Sequence, residues 1–216
     1  MDFKERFPEE KIDAVYEAIF KRRDVRSFED AKIPDDLIQR LLKAAHHAPS
    51  VGYMQPWNFI VIRDPQIKKK VKDSFLLEHN AASEYFEGER KEQYKSFKLE
   101  GIEEAPVNIC VTCDPSRFGP HVIGRHSMPE TDVYSVCCAV QNIWLAARAE
   151  GVGVGWVSIV RKESLKKILG IPDHIIPVAY LCVGIPKEFY DEPELESAGW
   201  ANRLNLDKLT FSDRWG

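Results

Sequence analysis

The stretch TDVYSVCCAVQNIWLAARAEGVGVGWVS, residues 131–158, carries more of the fold than any other part of this chain. Val133, Val136, Cys137, Val140, Ile143, Trp144 and Ala147 recur at helical spacing, and Cys138, Ala139, Leu145 and Ala146 make the opposite face apolar too. A helix apolar almost all round has to be buried on more than one side, here by its own core and by a partner subunit. Thr131 is the expected N-cap, with Asp132 in the first turn, and Gly151 is the expected C-terminal cap. Gly151, Gly153 and Gly155 then lead from that helix into a strand predicted over 153–159. A dinucleotide-binding loop needs the reverse order, strand before helix, so that a pyrophosphate meets a helix N-terminus. The glycines instead predict a slim strand with something flat lying against it. Trp156 and Ser158, two residues apart, fall on one face of that strand.

Working outward, Ile12, Val15, Tyr16 and Ile19 predict an amphipathic helix whose last turn carries Lys21, Arg22 and Arg23. Pro34-Asp35-Asp36 opens a second helix, with two acids against its positive end. Leu37, Leu41, Ala44, Ala45 and Ala48 form its buried stripe, and Pro49 ends it. Short β-branched runs predict buried strands at 58–62, 107–113 and 178–183, and a short helix before the last of these ends at Gly170. Residues 64–100 shift towards Lys, Glu and Tyr. Ile67, Val71 and Phe75 give one helix face, whereas 84–98 offers few apolar anchors. Such a segment is either a cover that moves over a site or a solvated pair of surface helices, and the sequence leaves both open. From 186 to 216 the chain is polar and proline-punctuated, with Trp200, Leu204, Leu206 and Trp215 as scattered anchors. It reads as an arm that wraps another surface. No internal repeat or linker divides residues 1–216, so one domain is expected.

Composition narrows the function. The chain has 216 residues, 44% hydrophobic and 30% charged, which fits a folded enzyme domain rather than a disordered or membrane-embedded chain. A net charge of −4 argues against a broad nucleic-acid-binding surface. Residues 1–6 lack an apolar signal core and no run reaches membrane-spanning length, so a cytoplasmic protein is expected. The five cysteines read as core filler. Cys110 and Cys113 form a C-x-x-C, but on a strand, where positions three apart face opposite ways and cannot share a metal. The adjacent His46 and His47, and the loop residues His121 and His126, lack an acidic partner or H-x-x-x-H spacing. No metal is expected. No G-x-S-x-G elbow or P-loop supports a hydrolase or NTPase.

Chemistry points instead to KRRDVR at 21–26. Arginine grips phosphate oxygens in a planar fork, so Arg22, Arg23 and Arg26 suit a phosphorylated small molecule. Basic residues at a helix end also complement its dipole, but three guanidiniums in five residues, running past the helix, exceed that need. About twenty-five residues on, APSVGYMQPW at 48–57 is small, polar and turn-rich, which lets backbone and short hydroxyls approach a flat ligand.

These segments, with KLEGIEEAP at 98–106, the 131–158 stretch and PVAYLCVGIP at 177–186, resemble the FMN-dependent nitroreductase family over residues 16–203. Asp24 stands where most of that family has serine. The combination of RRDVR, SVGYMQPW and GWVS is similar to one branch, the flavin-fragmenting 5,6-dimethylbenzimidazole synthases known as BluB. The resemblance implies an α+β nitroreductase-like fold: a central mixed, mostly antiparallel sheet flanked by helices, in a domain-swapped homodimer with FMN at the interface. By position, Arg22, Arg23 and Arg26 would hold the FMN phosphate and ribityl chain, and Arg203 would add a phosphate contact. Ser50 and Gln55 would reach the ring from the other subunit, Lys98 would lie near its N1–O2 edge, and Ser158 would approach from the glycine-rich strand. In that branch reduced FMN is the substrate and O₂ the co-substrate. The products are 5,6-dimethylbenzimidazole, the lower ligand of vitamin B12, and erythrose 4-phosphate, and a separate flavin reductase is the electron source. Asp24 would act as base or proton relay and Ser158 would orient the ring. The alternative on the same scaffold is an NAD(P)H-dependent nitroreductase or quinone reductase that retains its flavin.

Overall fold

The computed structural model describes residues 5–216, so the first four residues of the expected domain lie outside the description. Four strands form one sheet in the order β1-β2-β4-β3: β1 Trp57–Ile62, β2 Val107–Cys113, β3 Gly153–Val157 and β4 Ile176–Gly184. Every ladder is antiparallel. Among the described residues the sheet is thus antiparallel throughout; the parallel pairing of Asp24 with Val154 is an isolated bridge outside its strands. β2 is buried at every position, as its continuous apolar run requires.

Two cores lie on the two faces of the sheet, and the strand period of two sorts residues between them. Ile109, Val111, Cys113, Leu181 and Val183 join one core, under helices α2 (Asp35–His46) and α5 (Thr131–Ala149). Cys110, Tyr180 and Cys182 join the other, under α3 (Pro65–Ser83) and α6 (Lys162–Leu169). Cys110 and Cys113 therefore sit in different cores, as the strand reading of the C-x-x-C expects.

α5 buries Val136, Ala139, Val140, Ile143 and Ala147 against the sheet. On its other face Tyr134 and Cys138 are exposed, while Cys137, Leu145 and Ala146 are half-buried. Gly151 closes it at φ +72°, where a side chain would be strained. The Val152 N–H donates to the Ala147 carbonyl at 2.8 Å and the Gly151 N–H to Arg148 at 3.2 Å, the paired bonds of a glycine-terminated helix. Thr131 is not the N-cap. Its hydroxyl donates to the Met128 carbonyl at 2.6 Å and accepts no N–H from the first turn, so it serves the preceding turn.

Helix α1 (Glu9–Lys21) ends before Arg22, earlier than its basic run implies. Arg22 turns to extended backbone at ψ 135°, and the Arg23 carbonyl is taken by the Trp144 indole N–H at 3.1 Å instead of a helical amide. No residue of α1 is buried, and Val15, Tyr16, Ile19 and Phe20 of its apolar stripe lie open. Among the described residues no helix is long and apolar enough to cross a membrane.

Residues 64–100 form α3 and α4 (Gly88–Ser96), and the anchoring of α4 is aromatic. Tyr94 is buried between His79 and Phe86, with ring centroids 4.9 and 5.0 Å away. Trp200, from the C-terminal segment, meets Phe86 and Phe97 edge-on, and the Arg90 guanidinium lies 3.4 Å from its ring centre. The sequence pattern misses this anchor because its parts come from three separate segments. Beyond Trp200, residues 201–216 are exposed throughout. Trp200→Ala is expected to speed amide exchange across 88–96 by roughly tenfold or more, leaving β2 and β4 protected. Unchanged exchange in α4 would show that the arm does not hold it.

Candidate active site

The edge strand β3 is where the site is built. Residues 24–28 run along it as an extended strap: the Val25 N–H donates to the Val154 carbonyl at 3.0 Å, and Phe28 bridges to Pro186 beyond β4. The glycines of β3 make this possible. A Cβ on Gly155 would come within 2.1 Å of the Val25 carbonyl oxygen, and one on Gly153 would meet the Val25 side chain at 2.8 Å. What lies against the slim strand is thus the chain's own arginine-bearing segment.

That strap presents Asp24 and its neighbours to a cleft of about 850 Å³, within the usual range for small-molecule sites. Arg22, Arg23, Asp24, Arg26 and Arg203 all line it. A smaller adjoining cavity of about 370 Å³ shares Asp24 and Arg26 and adds Lys98. Five of the sequence-selected residues therefore meet in one cleft, and a sixth stands beside it. Ser50, Gln55 and Ser158 do not line either cavity. Ser50 and Gln55 belong to the loop before β1, where the Ser50 hydroxyl accepts the Gln55 N–H at 3.0 Å. Ser158 is exposed and lies one residue past β3, which ends at Val157 rather than Ile159, so it does not continue the Trp156 face within the strand.

The Asp24 carboxylate is held at both oxygens. Oδ1 accepts the Trp156 backbone N–H at 2.9 Å, and Oδ2 pairs with the Arg26 guanidinium. Burial pushes its pKa up from the usual carboxylate range, and the nearby Glu194 charge pushes the same way. Arg26, the Trp156 N–H and Arg22 pull it back, without cancelling the rise. Arg22 lies over the Trp144 ring at 4.8 Å. Its pKa is lowered, chiefly by burial, with the like charges of Arg23 and Arg203 adding to the effect. Such crowding of cations is relieved by an anion. Arg23 spends Nη1 on the Phe20 and Arg22 carbonyls, each at 2.7 Å, and Nη2 on the Asp191 carbonyl, leaving Nε buried without a partner. An orphaned guanidinium N–H in a cleft of converging arginines fits a phosphate-bearing ligand. Lys98 Nζ donates to the Ser27 hydroxyl at 3.1 Å and pairs with Glu104. Among the described residues no group of His, Cys, Asp and Glu is placed to hold a metal.

Two contacts that position the cleft arginines escape a reading of local pattern. Trp144 registers only as part of a helical stripe and does not line the cleft, yet it holds the Arg23 carbonyl and underlies Arg22. Glu194 binds Arg26 at 2.8 Å from 168 positions away, and no local motif announces that contact.

Residues 19–185 match the profile of the nitroreductase family. The chain belongs to the nitroreductase family. This nitroreductase-family chain is 43% identical to a 5,6-dimethylbenzimidazole synthase of Rhodospirillum rubrum over 188 residues, covering 87% of this chain and 89% of the relative. It is 37% identical to a protein of the same name from Rhodobacter capsulatus over 198 residues, 92% of this chain and 96% of that one. Among solved structures, an iodotyrosine deiodinase bound to FMN and 3-iodo-L-tyrosine superposes with a TM-score of 0.69 at 26% identity, covering 82% of this chain and 91% of that chain. A BluB-like flavoprotein from Clostridium difficile shares the fold with a TM-score of 0.69 at 19% identity, over 93% and 99% of the two chains.

Proposed function

We propose that this chain is a 5,6-dimethylbenzimidazole synthase, converting reduced FMN and O₂ to 5,6-dimethylbenzimidazole and erythrose 4-phosphate, with the carbons and nitrogens of the pyrimidine ring leaving as a further oxidised fragment. The 43% identity to the R. rubrum enzyme over most of both chains carries the reading. The cleft chemistry supports it. Arg22, Arg23, Arg26 and Arg203 converge where a phosphate and ribityl chain would lie, and the orphaned Arg23 Nε is a donor in want of such an acceptor. When bound, the reduced flavin supplies the electrons that reduce O₂.

Asp24 serves as the base beside the ribityl chain, and its raised pKa makes it a stronger proton acceptor than an ordinary surface carboxylate. Lys98 favours negative charge at the N1–O2 edge of the ring, and Ser158, exposed past the end of β3 and outside both cavities, orients the ring where the flavin extends beyond the cleft. Segment 64–100 covers the bound flavin against water. A separate flavin reductase supplies the electrons, and the protein works in the cytoplasm.

Ser50 and Gln55 lie outside this chain's own cleft, so they act on the partner's flavin in a homodimer. The surface argues for such an assembly. The chain exposes 13954 Å², against about 10,000 Å² expected from surface scaling for a monomer of 24.8 kDa. The excess includes the bare stripe of α1, the outer face of α5 and the exposed arm, Leu204, Leu206 and Leu209 among them. Sedimentation at micromolar concentration is expected to give a dimer, and a stable monomer that still turns over would contradict this part of the reading.

Reduced FMN mixed with the protein and then opened to air is expected to be lost irreversibly, with 5,6-dimethylbenzimidazole appearing in the mass spectrum. Simple return of oxidised FMN, together with oxidation of NAD(P)H in the presence of nitroaromatics or quinones, would favour the reductase alternative. Because Asp24 must be ionised to accept a proton, the rate should rise with pH along a limb displaced upward from that of an unperturbed aspartate. The same acid limb persisting in Asp24→Asn, and so independent of residue 24, would remove Asp24 from the base role.

A further inference from the structure

We infer that Glu194 is an internal competitor for Arg26: it yields when the ligand's phosphate docks and returns when the phosphorylated product leaves. This rests on the flavin reading above. Arg26 divides its guanidinium between two carboxylates, Nη2 to Asp24 and Nη1 to Glu194 Oε2 at 2.8 Å, and its side chain is only 15% exposed. Among the described residues, Arg22, Arg23 and Arg203 of the same cleft make no ion pair with a carboxylate side chain. Of those cleft arginines, Arg26 is the one that must break an ion pair to bind a phosphate.

The two contacts of Arg26 are not equivalent. Asp24 is fixed on the strap by the Trp156 N–H, so its contact persists. Glu194 opens a helix of only four residues, α7 (Glu194–Ser197), whose residues are all unburied, and its own side chain is 31% exposed. A phosphate dianion brings more charge and more acceptor oxygens than one carboxylate, so it displaces Glu194 at the cost of that pair. Riboflavin carries no such group and leaves the pair closed. An enzyme that consumes its flavin must also release a four-carbon phosphate at every turnover, and a carboxylate tethered beside Arg26 recloses the ion pair and speeds that release.

The test compares the unaltered protein with Glu194→Gln, titrating oxidised FMN, riboflavin and inorganic phosphate under one set of conditions. Glu194→Gln is expected to bind FMN and phosphate about fivefold to tenfold more tightly, with riboflavin changed by less than about twofold. Glu194→Asp keeps the charge and should return the FMN-to-riboflavin ratio towards that of the unaltered protein, which a role in folding alone would not do. Equal or weaker FMN binding by Glu194→Gln, or a parallel change for riboflavin, overturns the role given to Glu194. If the unaltered protein binds no FMN at all, the flavin reading itself falls.

Discussion

Asp24→Asn is expected to keep FMN bound while suppressing benzimidazole formation by about two to four orders of magnitude, the usual contribution of a positioned acid–base group. Asparagine retains the oxygen that accepts the Trp156 N–H, so the strap and the shape of the cleft survive. What disappears is the ability to take up a proton, together with one of the two negative charges on Arg26. Loss of that charge leaves Arg26 freer for phosphate, so FMN affinity should hold or improve slightly. Asp24→Ser, which installs the residue found in most of the family, should lose product in the same way. Product analysis by mass spectrometry, run beside an FMN titration, separates chemistry from binding. Full product yield from Asp24→Asn would end the assignment.

Gly155→Ala carries the largest structural effect. The added Cβ would lie 2.1 Å from the Val25 carbonyl oxygen, and the obstruction is backbone, which cannot rotate aside. Either the strap leaves β3 or the strand bends away from it. Both break the Val25–Val154 hydrogen bond and shift Asp24 relative to the Trp156 N–H that holds it. A loss of about 3 kcal/mol is expected, from overpacking plus a broken buried hydrogen bond. For a chain of this size that lowers the thermal midpoint by roughly 6–12 °C. FMN affinity should fall with it, because Arg26 rides on the strap and Arg22 and Arg23 lead directly into it. An alanine variant with unchanged midpoint and unchanged affinity would show that the strap does not depend on the glycine.

The legible parts of the fold were those with strong period. β2 matches its predicted span because a fully buried central strand is a continuous apolar run. The doubly apolar α5 reads correctly as a helix, with Tyr134 and Cys138 of its outer face exposed. The ends were less legible, since caps and strand limits depend on tertiary partners. Thr131 had the right chemistry for a cap but is used by the turn before it, and the basic run after α1 leaves the helix to meet Trp144. The density of the arginine cluster suggested an anion site, and the structure brings Arg22, Arg23 and Arg26 to one cleft; Arg203, which joins them there, was picked out only through the family resemblance. Glu194 and Trp144 had no such signal, because their roles come from contacts made across the chain. The glycines of β3 were read as making room for a flat ligand, yet Gly153 and Gly155 make room for Val25.

The central claim is that FMN is consumed as substrate and not retained as cofactor. Carbon balance makes it directly measurable. A five-carbon ribityl chain that yields a four-carbon phosphate has one carbon left for the imidazole ring. Reduced FMN carrying ¹³C at the first ribityl carbon, mixed with the protein and exposed to air, should therefore give 5,6-dimethylbenzimidazole one mass unit heavier than the unlabelled product. Quantitative recovery of labelled, intact FMN, with no heavy benzimidazole, would contradict the account.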